Sequence, residues 1–148
     1  MIRGTTAAFK FKLPHQLQHI IEARVVFWQE GYGGTLGSSL PIVKRYTYEN
    51  DFVGNTSNEL LVVLTGSETR AFSDKLKARV QMKALSEEYE NEDGQIVKST
   101  SLGTRPQLFT VYPMDDGIID GPIDENTQTT DGYIILSGGN IVATEVVE

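Results

Sequence analysis

No cysteine occurs among the 148 residues of this chain. Disulfide staples and thiolate metal sites are therefore excluded, and the redox compartment leaves no mark on the sequence. Long apolar runs are also missing. The longest, residues 60–64, falls far short of the roughly 20 residues that a membrane helix needs, so no membrane partner is expected. No extended apolar segment follows Met1, and no signal peptide is expected. Histidine occurs only twice, at His15 and His19, which leaves little material for a nucleophile–histidine–acid triad. Basic residues are absent from the last quarter of the chain: residues 113–148 hold eight acids (Asp115, Asp116, Asp120, Asp124, Glu125, Asp131, Glu145 and Glu148) and no Lys or Arg. A phosphate backbone would repel that segment. No run of bases interleaved with aromatics occurs elsewhere, so nucleic acid is not an expected partner.

What is present is a near-neutral body. Residues 1–112 carry 13 bases against 12 acids, so the net charge of −7 comes from the acidic tail. Hydrophobic content of 39% and charged content of 22% are ordinary for a globular chain, and the length suits one domain with a real core. Residues 77–85 organise the rest. Ala78, Val80, Met82 and Ala84 alternate with Lys77, Arg79, Gln81 and Lys83, the period of two of a half-buried strand.

The other apolar stretches supply partners for that face. Ala7, Phe9, Phe11 and Leu13 alternate with Ala8, Lys10 and Lys12 to predict a first strand, which Pro14 stops by removing a ladder donor. Residues 15–22 predict a helical turn or two with Leu17, Ile20 and Ile21 turned inward. Residues 23–29 then predict a second strand, apolar on both faces near Phe27 and Trp28. Gly31, Gly33, Gly34 and Gly37 make residues 30–39 a mobile loop with no phosphate-binding helix start behind it. Residues 40–48 form a third strand, placed at a sheet edge by Pro41 and the Lys44-Arg45 pair. Residues 60–64 form a short buried strand. Thr65 and Glu68 then have the spacing of a capping box, predicting a short helix through Phe72. Residues 86–95 form an acidic hairpin tip closed by Asp93-Gly94, residues 96–99 return beside it, and residues 107–112 form the last strand before Pro113.

About seven short strands separated by turns predict an all-β fold: an immunoglobulin-like antiparallel β-sandwich over residues 1–113, with a short capping helix. Residues 114–132 have the composition of an acidic linker, and residues 133–148 the pattern of a C-terminal β-hairpin around Gly138-Gly139. A lone hairpin is marginal in water. This one is expected to dock in cis on the body or to add to another chain, with Tyr133, Ile134, Leu136, Ile141 and Val146 as candidate contact residues.

Other candidate sites compete with plainer readings. His15, His19 and Glu22 would share one face of a helix, as a zinc trio requires, but no acid–base motif surrounds them and a solvated polar face is the favoured reading. Asp115, Asp116, Asp120, Asp124, Glu125 and Asn126 offer oxygen ligands without the spacing of a calcium loop, against a plain acidic linker. Trp28 and Tyr32 beside the glycines make a candidate platform for a sugar or a partner protein, against a place in the core or on the sheet surface. Tyr46, Tyr48 and Phe52 admit the same two readings. No nucleophile elbow, His-Glu-x-x-His or phosphate loop occurs; the chain is expected not to be an enzyme and to need no cofactor or metal.

Several segments carry a resemblance. Met1-Ile2-Arg3-Gly4-Thr5-Thr6 followed by Phe9-Lys10-Phe11-Lys12-Leu13-Pro14, then Val25-Val26-Phe27-Trp28-Gln29, Val62-Val63-Leu64-Thr65-Gly66-Ser67-Glu68-Thr69 and Lys77-Ala78-Arg79-Val80-Gln81, resemble small virion proteins of tailed bacteriophages. The strand order is similar to the immunoglobulin-like N-terminal domains of upper baseplate proteins. The resemblance covers roughly residues 1–112, while the glycine loop and the acidic tail depart from it. It implies a non-enzymatic structural component, at the head surface, a head-fibre base or a tail or baseplate adaptor, assembled into the virion in the host cytoplasm. Its implied partners are other virion proteins and further copies of itself. A host-glycan or receptor-binding module using the aromatic and glycine loop is the alternative.

Overall fold

The computed structural model describes residues 1–34, 39–113, 134–137 and 143–145, the last two segments as backbone strands. Residues 35–38 of the glycine loop, the acidic linker 114–132 and the candidate contact residues Tyr133, Ile141 and Val146 lie outside the described residues.

Strand β1 (Ala7–Lys12) follows its alternation: Phe9 and Phe11 are fully buried while Lys12 is exposed. The helix expected over residues 15–22 shrinks to a single 3-10 turn, Leu17–His19, because the β-branched residues from Ile20 onward favour extended backbone. Strand β2 (Ile20–Trp28) therefore begins earlier than expected, and its alternation turns Ile21 outward rather than into the core. Strand β3 (Ile42–Thr47) pairs antiparallel with β2 at the edge of its sheet, as Pro41 and Lys44-Arg45 predict. A single π-type turn, Tyr48–Phe52, buries Phe52. Strand β4 (Glu59–Leu64) is half-buried, not fully buried as its composition suggests. Leu60, Val62 and Leu64 point inward, and Leu61 and Val63 are left exposed, because one face of this terminal strand meets solvent.

The capping box forms. The Thr65 hydroxyl oxygen accepts from the Glu68 N–H at 3.3 Å, and the Glu68 carboxylate accepts from the Thr65 N–H at 3.0 Å. The helix α1 (Gly66–Thr69) is a single turn that stops before Phe72, although Ala71 and Phe72 are both buried below it as a lid on the core. Strand β5 (Ala78–Ser86) is the central strand anticipated, bordered by β2 on one side. Strands β6 (Tyr89–Glu90) and β7 (Ile96–Val97) make the acidic hairpin, with Gly94 at φ +77°, a conformation that favours glycine.

Strand β8 (Ser101–Gly103) has no apolar signature and is not foreseen; β9 (Gln107–Phe109) is shorter than expected. Both pair with the second side of β5. Gly103 faces Lys83 and Gln107 faces Val80, so the β8–β9 side carries one residue more than β5 does. Thr104 absorbs the irregularity: its hydroxyl accepts from the Met82 N–H at 2.9 Å and its own N–H donates to the Met82 carbonyl at 3.0 Å. Past β9, Tyr112 bridges to Ile2 instead of extending the strand.

Strands β10 (Ile134–Ser137) and β11 (Ala143–Glu145) pair antiparallel, and β10 lies parallel to β1 with Ile134 opposite Phe9 and Leu136 opposite Phe11. One sheet thus has the order β11-β10-β1-β4; the other has β3-β2-β5-β8, with β9 also on β5. The two meet face to face in an all-β sandwich. Phe9 of the first sheet packs edge-on against Phe27 (4.9 Å between ring centroids) and Phe109 (5.2 Å) of the second.

Polar contacts close the sides of the sandwich. Lys44 points inward from the edge strand β3 and meets Glu68 of α1 at 2.7 Å, an inward charge of the kind that blunts sheet edges. The fully buried Thr69 hydroxyl donates to the Thr5 carbonyl at 2.8 Å and accepts from the Gly4 N–H at 2.9 Å. Gln29, also buried, donates to the carbonyls of Ser73 (2.8 Å) and Leu76 (3.0 Å) and accepts from the Ser73 N–H (2.8 Å).

Candidate functional site

The zinc-trio alternative needed His15, His19 and Glu22 on one helical face, and the short 3-10 turn removes that face. The residues join two separate clusters instead. His15 Nδ1 shares a 2.8 Å hydrogen bond with the Tyr89 hydroxyl, and the His19 ring stacks flat on Tyr89 at 3.6 Å between centroids. His19 Nδ1 lies 3.1 Å from Glu87 Oε1, and the Glu87 N–H donates to the His19 carbonyl at 2.8 Å. Burial, and secondarily the charge of His19, lowers the His15 pKa below the ordinary histidine value. This cluster clasps the β6–β7 hairpin onto the body. Glu22 turns away from it, accepting from Arg24 Nε at 2.8 Å and Arg45 Nε at 2.6 Å. Among the described residues no group of three or more His, Cys, Asp or Glu converges to hold a metal ion. The acidic linker candidates lie outside those residues.

The candidate aromatic platform is not assembled as a pair. Trp28 lies half-buried at the end of β2, its indole N–H donating to Glu30 Oε1 at 3.3 Å. Tyr32 bridges to Gln29 and packs against the core. Tyr46 likewise serves packing: it stacks on the buried Phe52 at 6.3 Å, and burial, with the Asp51 and Glu68 charges, pushes its phenol up to about 12. Tyr48 is exposed.

The densest gathering of chemistry is on the outer face of the five-stranded sheet. Arg45 stands opposite Arg24 across β3 and β2, and Arg24 stands opposite Lys83 across β2 and β5. All three are exposed, and Glu22 beside them is half-buried. The paired guanidiniums, Arg24 first, hold the Glu22 carboxyl below the usual carboxylate range. A shallow groove of ≈ 350 Å³ runs along Glu22, Arg24, Lys83, Leu85 and Ser101. The sequence held one signal of this row. Each cation occupies an outward position of a period-two strand, but only pairing register aligns them.

Of the hairpin candidates, Ile134 and Leu136 take register positions beside Phe9 and Phe11 of β1, both fully buried. No protein-family model, curated protein or solved structure matches the chain.

Proposed function

We propose that this chain is a non-enzymatic structural component of a tailed-phage virion, docking on other virion proteins and on further copies of itself through its sandwich and its terminal hairpin. In this reading the body is an immunoglobulin-like domain at the head surface, a head-fibre base or a tail or baseplate adaptor, incorporated during assembly in the host cytoplasm. One observation carries the docking role. The four-stranded sheet ends in β4 on one side and β11 on the other, and neither outer edge has a partner among the described residues. Open edges present unpaired N–H and C=O groups to another strand. Beside the β4 edge stand Leu61, 47% exposed, and Val63, 39% exposed, the apolar side chains that give strand addition its specificity. The resemblance of residues 1–112 to small phage virion proteins supports the setting. The glycan-binding alternative has less support, because Tyr32 is turned to the core while Trp28 stays at the sheet surface.

The test is incorporation. Particles purified from cells making the full chain should contain it by mass spectrometry, and a chain lacking residues 132–148 should be missing from them while its circular dichroism stays that of a β protein. Truncated chain found in particles at the full-length level would sink the proposal.

A further inference from the structure

The row of cations on the five-stranded sheet is one that the sheet does not need for its own stability. Arg45, Arg24 and Lys83 lie side by side on three neighbouring strands, each step about 4.8 Å. Like charges directly opposed in an antiparallel pair are destabilising. A single carboxylate, Glu22, answers two of the three, and Lys83 has no hydrogen-bond or ion-pair partner among the described residues.

Apolar side chains flank the row. Val43 faces Val26 in the adjacent cross-strand rank, and Trp28 faces Arg79, which faces Leu108, in a further one. Val43 and Leu108 are each more than half exposed. Cations in excess beside exposed valine and leucine are complementary to an acidic, partly apolar protein surface.

We propose that this face, centred on Arg24 and Lys83, docks an acidic segment of a partner protein, whose carboxylates complete the charge row and whose apolar side chains cover Val26, Val43 and Leu108. Polyphosphate suits it less: the Glu22 carboxylate stands beside the row, and the exposed Val43 and Leu108 next to it offer a phosphate chain nothing to contact. The inference stands on the charges of the sheet and holds whether or not the partner is a virion protein.

Trp28 is the sole tryptophan and lies on this face, so its fluorescence reports occupancy. The full chain is titrated with a blocked peptide of alternating Glu and Val, and separately with an oligothymidylate of equal charge. The peptide should shift Trp28 emission saturably at low salt and bind more weakly as salt is added. Lys83→Glu or Arg24→Glu should weaken that binding about tenfold. Without ligand, Lys83→Glu should raise the thermal midpoint, since it places a carboxylate opposite Arg24; a purely structural lysine would lower it. No peptide binding, undiminished binding by Lys83→Glu, or tighter binding of the oligothymidylate would each overturn the proposal.

Discussion

Phe9 meets Phe27 edge-on with 4.9 Å between ring centroids, and this contact joins the two sheets at their centre. Phe9 also touches Phe109, so one side chain of β1 contacts two strands of the opposite sheet.

Removing that ring should be felt throughout the domain. Phe9 is fully buried, and Phe9→Ala is expected to cost about 3–5 kcal/mol, a large share of the stability of an ordinary domain. Urea denaturation checks it. A loss below about 1 kcal/mol, the scale of a surface change, would show that the sheets are not packed through Phe9.

Gln29 anchors residues 73–76 with three hydrogen bonds from a buried side chain. Gln29→Leu keeps the volume but strands the Ser73 amide and two carbonyls, for an expected loss of about 2–3 kcal/mol. Hydrogen exchange at the Ser73 amide should accelerate with it. Unchanged protection there would remove Gln29 from this role.

Glu68 has two duties, closing the capping box and receiving Lys44 from the other sheet. Thr65→Ala removes only the cap and should cost about 1 kcal/mol. Glu68→Ala should cost more. A double-mutant cycle between Lys44 and Glu68 should give a coupling near about 1 kcal/mol, the upper end for exposed pairs, because both side chains are only 26% exposed. Zero coupling would mean that the pair does not hold β3 to α1.

The histidine clasp predicts a pH dependence. Burial holds the folded-state pKa of His15 below 6.5, its value in the unfolded chain. The unfolded state therefore binds the proton more readily in that range. The contribution of His15 is complete above pH 6.5 and is lost as pH falls through 6.5 toward the folded value. The groups facing His15 and His19 are Tyr89 and Glu87, so the β6–β7 hairpin should loosen first. Tyr89 ring signals followed by NMR should shift on acidification, and His15→Gln should flatten that response. A Tyr89 spectrum indifferent to acidification from above pH 6.5 down to the onset of global unfolding would rule the clasp out as the origin.

The local order of this chain was legible in the sequence where apolar and charged residues alternate cleanly, and not in β4, whose unbroken apolar run hid its exposed Leu61 and Val63. Phe9 and Phe11 in β1, Val80 and Met82 in β5, and the Thr65–Glu68 cap follow from short-range periodicity and hydrogen-bond spacing. Legibility failed where neighbours in space outvoted local pattern. The helix expected around His15 and His19 gave way to a strand from Ile20, and Ser101–Gly103 became a strand without any apolar signature because β5 offered it an open ladder. The cations of the sheet face were each visible as outward residues, yet nothing in the chain states that Arg24 lies between Arg45 and Lys83. Alternation is a property of one strand and is written in its residues. Register is a relation between strands that are separate in the chain, and it exists only in the paired sheet.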